Sequence, residues 1–369
     1  MESLVSKRNF LELKEKGYTV VPNVISHKDC DIYINQYKDW LKQFKNGRWP
    51  HNMHSCIQRY KIGHMEPSWK VRLASKRVFE EVWKTDQLLS SYDAVAIARP
   101  PEELDDPNDV LNGFSKENRG WLHCDQGYLR DGLHAYQSGV YLEEADEQDW
   151  TLEVLEGSHK LHNDFFEQSP RARIRSALND FYRLIKTDTE WYSKAGCTRK
   201  RIAVPKGGMV LWDSRLIHAN ARPLSGRPCK NRWRFVVFVC MAPKSWSSYE
   251  SLKTKKEAYN NMRMTTHWPS NDIGLMSERL PDDISDENPE PLKELPEIAK
   301  TAEAKMLAGV IPYPNEKSSE KRQPDVPQWR LVSGKQLNHD TYYFDYKQLY
   351  KLLTIFFLFI AIFIGVFLL

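Results

Sequence analysis

The chain has 369 residues, 41% of them hydrophobic and 28% charged, with 53 Lys and Arg against 49 Asp and Glu. That balance describes a folded globular protein and excludes a disordered or collagen-like one. The formal net charge of +4 is too small over this length to point to a nucleic-acid partner, and none is expected. Six cysteines (30, 56, 124, 197, 229 and 240) lie scattered without a CxxC pair, which reads as reduced thiols in a cytosol-facing protein.

The amino-terminal stretch MESLVSKRNFLELKEKG carries charges every few residues and has no apolar core, so no secretory signal is expected. From Phe10 to Ser26 the pattern predicts a short helix, a break at Gly17, and a strand Tyr18–Val21 stopped by Pro22. His27 to Lys45 places Ile32, Ile34, Tyr37, Trp40, Leu41 and Phe44 at helical spacing. Residues 47–70 read as loop, and Val71 to Tyr92 again as helix. Beyond Ala94–Ala98 short β-rich runs alternate with turn residues: 120–125, 135–142, 151–155, 208–213 and 235–241. Several short strands of this kind predict a barrel or sandwich decorated by the earlier helices. Residues 164–192 read as a helical insertion, and the basic run Lys253–Lys256 as a solvated helix face.

Past Pro281 the composition becomes acidic, polar and proline-rich, apart from a short helical pattern over Glu297–Leu307. The expected organisation is therefore a folded domain over 1–280, a linker over 281–341 and a membrane anchor over 342–369. Leu352 to Leu369 is eighteen residues without a charge, spanning about 27 Å as a helix against a hydrocarbon core of roughly 30 Å. Tyr342, Tyr343, Tyr346 and Tyr350 with Lys347 and Lys351 precede it, as suits a headgroup region. These features predict a single-pass, tail-anchored protein with its catalytic domain in the cytosol. Either the endoplasmic reticulum or the mitochondrial outer membrane fits this tail.

The chemistry concentrates in WLHCDQGYL. His123 and Asp125 are two residues apart, so on a strand they share a face while Cys124 points away. An HxD alone is weak, but KGGMVLWDSRLIHAN presents His218 at the end of a second strand. Two imidazoles and one carboxylate make the facial triad of non-haem iron(II) oxygenases, which leaves positions open for a co-substrate and dioxygen. Sixteen residues past His218 stands Arg234; Arg232 shares its parity at the start of the last strand. A guanidinium fork on either suits the distal carboxylate of a 2-oxoacid. The other histidines carry blander expectations: His159 and His162 a turn and helix start, His51, His54 and His64 a loop cluster.

Over residues 10–245 the chain resembles the phytanoyl-CoA dioxygenase-like branch of the Fe(II)/2-oxoglutarate oxygenases. The resemblance rests on GYTVVPNVIS, LHCD, LEVLEGSHK, and GGMVLWDSRLIH followed by RFVVFVCMAP, in that order and spacing. It implies a mainly β fold with flanking helices, a double-stranded β-helix (jelly-roll, cupin-like) core, to which the tail adds a transmembrane helix. It implies His123, Asp125 and His218 as iron ligands and an arginine of the last strand for 2-oxoglutarate. Counting back from the strand end at Pro243 points to Arg234, with Arg232 the alternative because the loop NARPLSGRPCKN is long for the family. Asn220 falls where the family often has a polar contact to the co-substrate; Gln137 and Tyr141, on one face of the strand after the HxD, are further candidates. Asp125 stands where related halogenases carry a small residue, so hydroxylation or desaturation of a small-molecule or lipid-like substrate is expected. Two rival readings are a catalytically silent, membrane-tethered binding protein of the same fold, and a cupin-like metal enzyme that uses no 2-oxoglutarate.

Overall fold

Alternating side chains along two long strands set the layering of the protein, described here from a computed structural model. In β11 (Met209–Asp213) Met209 and Leu211 join one apolar cluster while Val210 and Trp212 join another. In β13 (Arg234–Pro243) Phe235, Val237 and Val239 face the first cluster, and Val236 and Phe238 the second. A strand buried on both faces needs a layer on each side. The structure describes residues 3–45, 48–109, 112–116, 120–278, 289, 292–314 and 329–331. The expected membrane segment 352–369, its tyrosine flank and most of the linker lie outside the described residues. Among those described, no helix is long and apolar enough to cross a membrane.

The larger sheet runs β1 (Tyr18–Val21), β11, β7 (Tyr136–Tyr141), β13, β4 (Val95–Ala98), β2 (Cys56–Ile57), with β3 (Leu88–Ser90) pairing the far end of β13. The smaller runs β10 (Thr198–Ile202), β8 (Thr151–Glu156), β12 (His218–Ala221), β5 (His123–Cys124), β9 (Tyr182–Arg183). A short pairing of β6 (Arg130–Gly132) with β14 (Trp329–Leu331) stands apart, and the described pairs are all antiparallel. Tyr141, Leu152, Val154, Val210, Trp212 and Val236 fill the space between the two sheets. The result is a mainly β, jelly-roll, cupin-like architecture.

Helices cover both outer faces. α1 (Lys7–Lys16), α2 (His27–Leu41) and α3 (Glu66–Trp83) bury Leu13, Tyr37, Val78 and Phe79 against the larger sheet. α4 (His162–Gln168), α5 (Pro170–Asn179) and α6 (Lys186–Lys194), at the expected helical insertion, bury Phe165, Phe166 and Tyr192 against Cys124, Leu155 and Ala219 of the smaller one. At the Gly pair before β11, Gly207 adopts φ +72° and a Cβ there would lie 2.1 Å from the Ile25 carbonyl oxygen. The Gly207 carbonyl also accepts from the amides of Val24 and Ile25, so the glycine seats the amino-terminal segment against the sheet.

Three expectations are corrected. The helix read over Val71–Tyr92 runs instead from Glu66 to Trp83, because Pro67 starts it and Lys84 leaves the helix with φ 57°; β3 follows. Lys255, read as solvated, is fully buried with its Nζ 4.1 Å from the Tyr92 ring centre. In α7 (Tyr249–Asn260) Ser251, Lys255, Ala258 and Tyr259 form the inward stripe, and Lys255 sits in its middle. Finally, residues 292–314 belong to the folded unit, not to the linker expected over 281–341. The small side chains Ala299, Ala304 and Ala308 let α8 (Ala302–Leu307) and the turn before it lie against Trp69, Tyr92 and Tyr259. Tyr313 then donates to the Leu88 carbonyl at 2.8 Å and accepts from the Leu88 amide at 3.1 Å.

Candidate metal centre

β5 and β12 are neighbours in the smaller sheet, with His123 directly opposite His218. Their ring centres lie 4.3 Å apart. In each case the ring Nδ1 meets the carbonyl two residues earlier: His123 that of Trp121 at 3.0 Å, His218 that of Leu216 at 2.9 Å. A carbonyl only accepts, so Nδ1 carries the proton and Nε2 presents its lone pair. Both Nε2 atoms face Asp125, at 3.5 Å from Oδ1 and 3.4 Å from Oδ2 respectively. Ligand atoms from the three residues lie within 4.8 Å of one another, the spacing of donors around a single ion.

Electrostatics favour the ligating states of His123 and Asp125. Burial, with the neighbouring His218, pushes His123 down to about 3, so its imidazole is neutral at physiological pH. Burial works against the Asp125 carboxylate, but the charge that the rings of His123, His267 and His218 take on as they protonate in acid outweighs it and holds Asp125 well below the usual carboxylate range.

Gln137 stands behind the triad. Its Nε2 donates to Asp125 Oδ2 at 2.9 Å and its Oε1 accepts from the Trp212 indole at 3.1 Å. The side chain offered as a co-substrate contact is thus committed at both ends and orients the carboxylate. Tyr141 is buried; its hydroxyl accepts from the Leu152 amide, and its ring lies 5.8 Å from the Arg234 guanidinium carbon.

The two arginines separate cleanly. Arg232 pairs with Glu144 and, at 2.5 Å, with Asp149. Arg234 is buried at 3% exposure, and only its Nη2 has a partner, the Asn220 side-chain oxygen at 2.7 Å. Its Nε and Nη1 are buried without a hydrogen-bond partner among the described residues. An unpaired buried guanidinium is costly unless an acceptor is supplied, and a carboxylate is the matching one. Asn220 completes the link by donating to the His54 carbonyl and to Cys56 Sγ.

The triad opens into a cavity of about 590 Å³ walled by Trp121, Phe181, Phe238 and Trp268 among others. Sequence reasoning missed one whole side of it. His267, in MTTHWPSND, places Nδ1 3.9 Å from Asp125 Oδ2, and Trp268 stands beside it. The HW pair was the available signal, but it lies in a segment with no strand or helix period. His159 meets the Lys14 carbonyl, His162 the Gln126 carbonyl and His64 the Arg263 carbonyl, all away from the triad. His54 stacks on Trp121 at 4.1 Å, and Trp121 in turn stacks on His123 at 4.2 Å. Cys124 Sγ contacts the Gln126 carbonyl at 3.2 Å, on the other face of the strand from the triad.

Residues 13–228 match the phytanoyl-CoA dioxygenase (PhyH) family, and the chain belongs to that family. "Ava biosynthesis cluster protein O" of Aspergillus versicolor is 24% identical over 276 residues, covering 70% of this chain and 84% of that protein. GlcNAc Inducible Gene 2, a DUF1479 protein of Candida albicans, shares the fold with a TM-score of 0.58 at 14% identity, over 84% of this chain and 78% of that one. EvdO2 of Micromonospora carbonacea, solved with 2-oxoglutarate, aligns over 65% of this chain and 92% of its own with a TM-score of 0.39 at 15% identity. Two imidazoles and one carboxylate fit the donor set of Fe(II). Family and site together make the protein a non-haem oxygenase that uses Fe(II) and 2-oxoglutarate.

Proposed function

We propose that this member of the phytanoyl-CoA dioxygenase family hydroxylates a small-molecule or lipid-like substrate, with His123, Asp125 and His218 holding the iron and Arg234 the far carboxylate of 2-oxoglutarate. The observation that carries this reading is the pair of partnerless nitrogens on buried Arg234, joined through Asn220 to the strand bearing His218. Bound at the triad, Fe(II) with 2-oxoglutarate and dioxygen supplies the oxidation of a substrate C–H bond, 2-oxoglutarate leaving as succinate and carbon dioxide. The chain's own part is placement. Gln137 fixes Asp125, the Trp121 and Leu216 carbonyls fix the imidazoles, and the aromatic walls keep water from the reacting carbon.

The full chain in detergent should bind one Fe(II) and form succinate from 2-oxoglutarate. His123→Ala, Asp125→Ala and His218→Ala should each lower iron affinity and abolish turnover. Tight iron binding with no succinate under any substrate would favour the silent binding protein instead.

The apolar run 352–369 supports membrane residence with the catalytic domain on the cytosolic side. Residues 350–369 fused to a soluble reporter should carry it to membranes in a form resistant to carbonate extraction. A reporter that stays soluble sinks the anchor. Whether it collects at the endoplasmic reticulum or the mitochondrial outer membrane reads out the address.

A further inference from the structure

Beyond the end of the family match at residue 228, the chain returns to the metal cavity and supplies part of its wall. A hairpin over residues 264–276 is held by the Thr265–Leu275 bridge and by bonds from Thr266 to Gly274 and from Met276 to Met264. Its Thr265 amide donates to the Tyr92 carbonyl, which ties the base to the domain. The hairpin gives Thr266, His267, Trp268, Asp272, Gly274 and Met276 to the cavity lining.

Arg130 locks this wall in place. Its Nε lies 2.6 Å from Asp180 at the end of α5, and its Nη2 lies 2.9 Å from Asp272 near the hairpin tip. Its Nη1 meets His134 Nδ1 at 3.3 Å, and its guanidinium carbon sits 4.2 Å from the Trp268 ring centre. Every nitrogen of the fork is engaged. Arg130 is also the only Lys or Arg among the described lining residues, whereas Asp93, Asp180 and Asp272 line the cavity in addition to Asp125.

We propose that the hairpin 264–276 is the substrate-selecting wall of this cavity, and that it selects a ring-bearing, apolar molecule with a neutral or basic polar group against one bearing an acid. The proposal rests on the functional reading above and adds the substrate class. Phe181, Phe238 and Trp268 line the cavity with apolar aromatic surface suited to a ring system, while Trp121 is already sandwiched between His54 and His123. A second acid finds no partner: Arg234 is not among the lining residues and is assigned to the co-substrate, and Arg130 is already shared by two carboxylates. An acid entering beside Asp180 and Asp272 loses its hydration and meets like charge.

The test uses the full chain loaded with Fe(II) and 2-oxoglutarate under argon, and reads equilibrium binding by calorimetry. The probes are three matched compounds: 2-naphthylmethanol, 2-naphthylmethylamine and 2-naphthoate. The alcohol and the amine should bind, and naphthoate at least tenfold more weakly. Trp268→Ala should weaken the first two about tenfold. Asp272→Asn, which removes one of the two carboxylate charges held by Arg130, should raise naphthoate affinity at least fivefold; Asp180→Asn, which removes the other, gives an independent second reading if the first variant does not fold. Naphthoate binding as tightly as the alcohol, no binding by any probe at millimolar concentration, or unchanged naphthoate affinity in both Asp variants overturns the proposal. Because binding is read without turnover, failure of this ranking is separable from failure of the oxygenase reading, which shows as absent succinate.

Discussion

Arg234 donates through Nη2 to the side-chain oxygen of Asn220 at 2.7 Å, which joins the first residue of β13 to the strand that carries His218. The bond holds the guanidinium plane still while leaving Nε and Nη1 buried and without partners. Arg232, two residues earlier, spends its charge on Glu144 and Asp149 at the edge of the barrel.

Arg234→Ala should raise the KM for 2-oxoglutarate far more than Arg232→Ala. A charge-assisted hydrogen bond contributes about 1.5–3 kcal/mol, hence roughly ten- to over a hundredfold. Arg232→Ala should leave that KM near its original value and lower thermal stability instead, since Asp149 then loses one of its two ion-pair partners among the described residues and keeps Arg227. Steady-state kinetics in 2-oxoglutarate decides the matter, and a larger KM effect at Arg232 reverses the assignment.

Gln137→Leu should weaken Fe(II) binding by about ten- to a hundredfold, the usual cost of losing a partner that orients a metal ligand. The residue touches Asp125 and Trp212 but is not itself in the triad. Anaerobic Fe(II) titration of the variant measures the loss, and unaltered affinity removes Gln137 from the site.

Lys255→Met should stabilise the protein. Burial, with Arg72 nearby, holds the Lys255 amine well below its ordinary value, so the folded state excludes a proton that the unfolded state binds. Stability therefore rises with pH from the depressed folded value up to the ordinary lysine value of about 10.4, and the contribution is lost as pH falls. Urea unfolding of the wild type should show that rise between pH 7 and 10, whereas the Met variant should be flatter and more stable by about 1–3 kcal/mol at pH 7. Equal slopes for the two proteins would show that Lys255 is not the titrating group.

A chain ending at residue 280 should melt well below one ending at 314. Removing Ala299, Ala304, Leu307 and Tyr313 uncovers Trp69, Tyr92 and the β3 edge at Leu88. Loss of even one buried Leu costs about 2–5 kcal/mol. Scanning calorimetry of the two chains tests this, and coincident melting would return residues 292–314 to the linker.

The sequence by itself determined the elements whose pattern is local. Short β-rich runs bounded by turn residues mark β7, β8, β11 and β13, Gly17 and Pro22 bracket β1, and the HxD spacing puts His123 and Asp125 on one face. Those features follow from backbone geometry within a few residues, so no distant partner is needed to see them. Tertiary structure alone decided which residues meet. His218 lies opposite His123 because β12 and β5 pair in one register, and Gln137 reaches Asp125 because β7 crosses behind the triad. Arg232 and Arg234 share parity, and only the positions of Asp149 and Asn220 separate them. Lys255 and the alanines of α8 read as solvated or linker in sequence, because charge and small size hide burial until a neighbouring surface closes over them. The hairpin with His267 and Trp268 has no period at all; its place beside the metal centre comes from long-range closure by Tyr92 and Arg130.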